Sequence, residues 1–143
     1  MKKHTHIGVY ALIQKENQVL LIKKSRGAYI GKWDLPGGGF NHGEIPTKCL
    51  TREVLEETGL NVSSYNLLEI MSHNTQYLNS NQEMEDLHHI GIIYKTQTSE
   101  NSNSLKTTGD GEDSLGAKWH TISELTSENL SPFAERVILS STK

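Results

Sequence analysis

The segment from Gly38 to Leu60, GGFNHGEIPTKCLTREVLEETGL, constrains this chain more than any other. It leaves a glycine-rich turn (Pro36-Gly37-Gly38-Gly39), passes through a connector ending at Gly43-Glu44, and is expected to form a helix from Pro46 to Thr58. Pro46 suits the first helical turn, where its missing N–H needs no partner. Gly59 suits the position after the last turn, where a left-handed residue commonly ends a helix. Ile45, at the expected cap, has no side-chain oxygen for the free amides, so that end must be held by something else.

On such a helix Glu53 and Glu57 lie within about 40° of each other and Glu56 about 60° to one side. Leu50, Val54 and Leu55 fall on a different arc and can face a core. Carboxylates on one face repel by some tenths of a kcal/mol per close pair, and Arg52, one turn before Glu56, offsets only part of that. Clustered carboxylate oxygens suit hard divalent cations, above all Mg2+, which keeps several waters and is shared with substrate phosphates. A solvated acidic face is the plainer alternative for a bare REVLEE string.

The complete spacing decides between them. Gly38, Glu44, Arg52-Glu53-Val54, Glu56-Glu57 and Gly59-Leu60 occupy every fixed position of the Nudix box. Specified positions this numerous coincide less than about once in a billion random windows at average residue usage. The chain therefore resembles the Nudix hydrolases.

A chain of 143 residues fits one domain over 1–143, with enough length for a real core. Its formal charge of -3 argues against non-specific attraction to nucleic acid or anionic membrane. One cysteine excludes an internal disulfide and fits a reducing compartment. Cys49, near the acidic arc of the helix, reads as a small residue packed under a site. No apolar run approaches a membrane span, and no signal-peptide core follows Met1-Lys2-Lys3, so a cytoplasmic location is expected.

Along the chain, His4 to Ile13 alternates as a half-buried strand, with Ile7, Val9, Ala11 and Ile13 on one face. Val19-Leu20-Leu21-Ile22 is continuously apolar and reads as a strand covered on both sides, which calls for helices above and below the sheet. Lys23, Lys24, Arg26 and Lys32 follow, and are candidates for phosphate contact. Leu67–Ser72 and Leu87–Thr96 read as further strands. In the second, His88 and His89 point oppositely and cannot chelate one metal. His4 and His6 share a face, but nothing nearby completes a zinc set. Asn74 to Asp86 reads as a long polar loop bordering a pocket, with Tyr77 a ring for stacking on a base. Gln97 to Gly111 reads as a mobile surface loop. A last strand is expected over Ala117–Ile122, a short turn capped by Ser123, and a C-terminal helix opened by Ser131-Pro132 with Phe133, Val137 and Ile138 buried.

The resemblance implies an α/β/α sandwich, a mixed β-sheet flanked by helices, and hydrolysis of a diphosphate linkage in a nucleoside diphosphate joined to another group. It implies Glu53, Glu56 and Glu57 as ligands of Mg2+ or Mn2+, with the Gly37 carbonyl a further ligand. Arg52 would orient Glu53, and Glu44 would be a structural partner near the helix start. Glu53 is the expected base, with Glu56 the alternative. Many members add an acidic residue from a later loop, for which Glu112 and Asp113 are the candidates. Arg26 and Tyr77 are the expected substrate contacts, and a homodimer is compatible with the family. Branches acting on ADP-ribose tend to carry a proline beyond the box, where Thr75 stands here. The short chain and the Leu35-Pro36-Gly37-Gly38 lead-in look most like members acting on nucleoside triphosphates, oxidised ones included. Nucleotide-sugar or dinucleoside polyphosphate hydrolysis, and a non-catalytic nucleotide sensor, are the alternatives.

Overall fold

A computed structural model describes residues 1–99, 105–108 and 114–139. Strands run over Lys2–Lys15 (β1), Gln18–Lys24 (β2), Trp33–Asp34 (β3), Gly37–Gly39 (β4), Val62–Leu78 (β5), Met84–Thr98 (β6) and Ser114–Thr121 (β7). The helices are Pro46–Thr58 (α1) and Pro132–Leu139 (α2). The sheet is mixed: β1 runs parallel to β6 and antiparallel to β2 and β4, while β5 pairs antiparallel with β6 and β7 with β2.

Alternation along two strands builds two cores. In β1, Val9, Ala11 and Ile13 face the side where Cys49, Leu50 and Val54 of α1 pack. Tyr10 and Leu12 face the other side, against Phe133, Ala134, Val137 and Ile138 of α2. In β2, Leu20 and Ile22 join the α1 side, and Val19 and Leu21 the α2 side. Each of those four β2 residues is wholly buried, which is why the run is apolar without interruption. Burying side chains such as Leu50 and Val54 contributes roughly 1.5–3 kcal/mol each. The helices thus lie on opposite faces, as the β2 pattern predicts.

Three expectations need correction. Asn74 to Asp86 is no long loop: β5 runs on to Leu78, β6 begins at Met84, and only the residues between them turn. The pairing Asn74↔His88 through Leu78↔Met84 is continuous. Polar side chains are tolerated there because β5 is the sheet edge and much of its surface faces water. Gln97 and Thr98 are strand, not loop. Within the remaining expected loop, the Lys106 amide donates to the Thr58 carbonyl and its Nζ to the Glu56 carbonyl, both at the end of α1. Glu112 and Asp113 lie outside the described residues. The third correction is Ser123, which sits inside the 3-10 turn Ile122–Glu124 rather than capping it. Ser131 does cap α2, accepting from the Ala134 amide at 3.4 Å.

Candidate active site

The box helix forms as its residues require. Ile45 is extended and makes no side-chain cap. Its carbonyl instead accepts from the Lys48 and Cys49 amides at 3.1 and 3.0 Å. Gly59 takes the left-handed conformation at φ 78° and bonds back to the Leu55 carbonyl. The helix lies beside β4, and the acidic arc is split by that contact. Glu57 is 2% exposed, whereas the Glu56 side chain is 54% exposed.

Glu57 Oε1 accepts from the Gly37 amide at 2.6 Å. Burial pushes its carboxyl well above the usual range, against the pull of that amide and of Lys24. Its second oxygen makes no hydrogen bond among the described residues. Glu53 lies against the neighbouring glycine: a Cβ on Gly38 would stand 2.9 Å from the Glu53 carboxylate. The turn must therefore be glycine for Glu53 to lie on its backbone.

Arg52 balances the arc. It grips Glu44 through Nε and one terminal nitrogen at 2.8 and 2.9 Å, donates to the Gly39 carbonyl at 3.0 Å, and reaches Glu53 at 3.0 Å and Glu56 at 3.3 Å. This two-pronged contact, with the Asn41 amide adding, holds the Glu44 carboxyl down to about 2. Glu44 thus fixes the loop before α1 to the helix, the structural role expected of it. Cys49 is buried against the Gly38 and Gly39 carbonyls, and burial followed by Glu44 pushes its thiol up to about 12. It is packing, not a nucleophile.

Among the described residues no three acidic, histidine or cysteine side chains are already gathered for an ion. Arg52 bonds the Glu53 and Glu56 carboxylates at 3.0 and 3.3 Å. A nearly buried carboxylate with an oxygen unbonded, beside a second carboxylate and glycine backbone, nevertheless fits a hard divalent cation. Glu53, Glu57 and Glu56, with the Gly37 carbonyl, are the groups that could hold it.

A cavity of about 600 Å³ adjoins this cradle, lined by Lys24, Arg26, Tyr29, Asp34, Tyr77 and His89 among others. The link is Tyr10, which borders the cavity and pairs with Gly37 across β1 and β4. Arg26 and Tyr77, far apart in sequence, both line this cavity. The Tyr77 hydroxyl is tied to Glu85 at 3.1 Å, which leaves its ring at the wall. The other basic candidates divide. Lys24 borders the cavity, but Lys23 lies over the Trp33 ring at 5.8 Å and Lys32 donates to the Glu128 carbonyl. A second cavity, of about 650 Å³, lies by Lys15, Thr96 and Trp119; neither cavity is lined by a box carboxylate, and only the first reaches the Gly37 turn through Tyr10.

Sequence reasoning missed Tyr10, Tyr29, Asp34 and His89. Asp34 is buried, accepts from the Leu35 amide and the Ser131 hydroxyl, and burial raises its carboxyl while Lys24 opposes. The available signal was glycine inside strands. Gly8 and Gly91 pair across β1 and β6. An added Cβ would strike the Tyr10 hydroxyl at Gly8 and the Phe133 ring at Gly91.

The profile of the NUDIX domain family matches residues 2–140. The chain is 33% identical over 73 residues to a Proteus vulgaris protein named 8-oxo-dGTP diphosphatase, covering 50% of this chain and 65% of that one. It is 38% identical over 69 residues to a Methanocaldococcus jannaschii protein named ADP-ribose pyrophosphatase, covering 48% of this chain and 41% of that one. These matches thus span less than two thirds of the relatives' own length. A crystal structure of a MutT NUDIX hydrolase from Burkholderia pseudomallei superposes with a TM-score of 0.74 at 24% identity, covering 98% of this chain and 99% of that one. At that identity the likeness is one of fold.

Proposed function

The chain belongs to the NUDIX domain family, and from that premise we propose that it hydrolyses a diphosphate linkage of a nucleotide. Nucleoside triphosphates are the proposed substrates, giving a monophosphate and pyrophosphate. One observation carries this reading: Tyr10 lines a cavity of about 600 Å³ and pairs with Gly37, on whose amide Glu57 of the carboxylate cradle is held. A nucleotide spanning both would place its phosphates at the carboxylates and its base among the tyrosines.

Magnesium or manganese held by Glu53, Glu56, Glu57 and the Gly37 carbonyl would neutralise the phosphate oxygens and acidify a water. The chain's own groups do the rest. Glu53, seated on Gly38 and tethered by Arg52, takes the proton of the water that adds to phosphorus as the bridging P–O bond breaks. Glu56, more exposed and held more loosely by Arg52, is the alternative base. Lys24 and Arg26 border the cavity where they would meet phosphate oxygens, and Tyr77 offers a ring to the base.

The reading is tested with a nucleotide panel assayed with and without Mg2+, with products identified. Metal-dependent release of pyrophosphate from triphosphates is expected. Turnover confined to ADP-ribose, nucleotide sugars or dinucleoside polyphosphates would move the substrate to another branch, and tight binding without turnover would make the chain a sensor.

A further inference from the structure

A hydrogen-bonded chain runs from the core to the cavity wall. Tyr10 Oη lies 2.6 Å from His89 Nε2, and Tyr29 Oη lies 2.9 Å from His89 Nδ1. Burial, with His6, Lys24 and His73 adding, pushes His89 down to about 3, so its ring is neutral near pH 7. A neutral imidazole carries one N–H and one bare nitrogen, so one tyrosine donates to it and the other accepts.

Tyr10 settles the order. It is 5% exposed, and among the described residues His89 is the sole hydrogen-bond partner of its hydroxyl. If Tyr10 accepted from His89, its own O–H would be a buried donor without an acceptor, which folded proteins avoid. Tyr10 therefore donates to Nε2, and His89 carries its proton on Nδ1 and gives it to Tyr29. Tyr29, already an acceptor there, keeps its hydroxyl hydrogen for something else. Half-buried and lining the cavity, it makes no other hydrogen bond among the described residues. The ring stack adds to its fixation, since the Tyr29 and His89 rings lie 20° apart in plane.

We propose that Tyr29 is a specificity-determining donor, locked by the Tyr10–His89 relay, that reads a ring carbonyl of the bound base and so favours 6-oxopurine over 6-aminopurine nucleotides. A fixed donor meets an acceptor in the first class and a competing N–H in the second, and an unmatched polar group in a closed site discriminates strongly. This deepens the functional reading above, because it takes the cavity as the base pocket. Tyr10 and His89 are positioning residues, acting on the ligand only through Tyr29.

The test separates relay, recognition and turnover. Two-bond 1H–15N correlations of the His89 ring in the intact protein should show the Nδ1–H tautomer, and Tyr10→Phe should shift that signature. Titration with inosine and adenosine monophosphates, which requires no turnover, should show inosine binding about tenfold tighter. Tyr29→Phe should bring the two within about twofold while leaving the amide spectrum folded, and Tyr10→Phe should give an intermediate ratio. An Nε2–H tautomer, equal binding of the two nucleotides, binding of neither, or a preference that survives in Tyr29→Phe would each overturn the proposal. A protein that hydrolyses nothing but still prefers inosine would sink the proposed reaction and leave this inference standing.

Discussion

The carboxylate cradle and the tyrosine–histidine cavity share one strand pairing and are built on opposite terms. In the cradle, full charges face one another and are balanced by a guanidinium: Arg52 spans Glu44, Glu53 and Glu56 while Glu57 is buried against the Gly37 amide. In the cavity, the central ring is held neutral and its hydroxyl partners are ordered by which of them is buried. Charge suits what every nucleotide carries, its phosphates, and acts with little regard to orientation. Neutral directional bonds suit what distinguishes one nucleotide from another.

The sharpest way to break this contrast is Glu57→Gln. The amide keeps an oxygen for the Gly37 N–H but can no longer ionise. Activity should fall by about 10²–10³-fold. The metal-free protein should melt no lower than wild type, because the lost carboxylate was costly to bury. Calorimetry without metal beside rates with Mg2+ checks both halves, and a large drop in Tm would mean that Glu57 is a structural rather than a functional group.

A smaller effect separates two adjacent lysines. Lys24→Ala should lower kcat/KM by about tenfold, the scale of one phosphate-facing cation on an open wall. Lys23→Ala, which removes only a cation over the Trp33 ring, should stay within about twofold. Equal effects would erase the cavity's boundary as drawn.

Smallest in rate, though visible in stability, is Glu44→Gln. The folded carboxyl of Glu44 sits near 2, below its unfolded value of about 4.3. The unfolded chain therefore takes up the proton first, and the stability that Glu44 contributes is complete above about pH 4.3 and lost as pH falls toward 2. Denaturant titrations across that range should show the loss in wild type and its absence in the variant.

What the sequence disclosed follows the same division. The helix and its turn obey short-range rules: Pro46 at the start, Gly59 past the end, carboxylates three and four apart. Each of these is visible within a window of residues. Even so, the arc treated three glutamates as one face, and only the docking of α1 against β4 shows that Glu57 is buried while Glu56 stays in water. The cavity obeys no window. Tyr10 and His89 are 79 positions apart, and Tyr29 and His89 are 60 apart. Tyr10 and His89 meet because β1 and β6 run in parallel register, a property of the sheet as a whole, and Tyr29 reaches them from the connection between β2 and β3. The polar stretch after Asn74 misleads for a related reason: an edge strand satisfies its backbone through one neighbour and can leave its side chains to water.

The contacts of α2 have a consequence for biogenesis. Phe133 presses on the His89 ring with centroids 4.5 Å apart, and Ser131 bonds Asp34. A nascent chain that has emerged only through β7 would already display every glutamate of the helix, yet Phe133 would be missing from its imidazole and Ser131 from its buried aspartate. Competence should therefore arrive abruptly, with the translation of α2, rather than accrue as the signature motif leaves the ribosome.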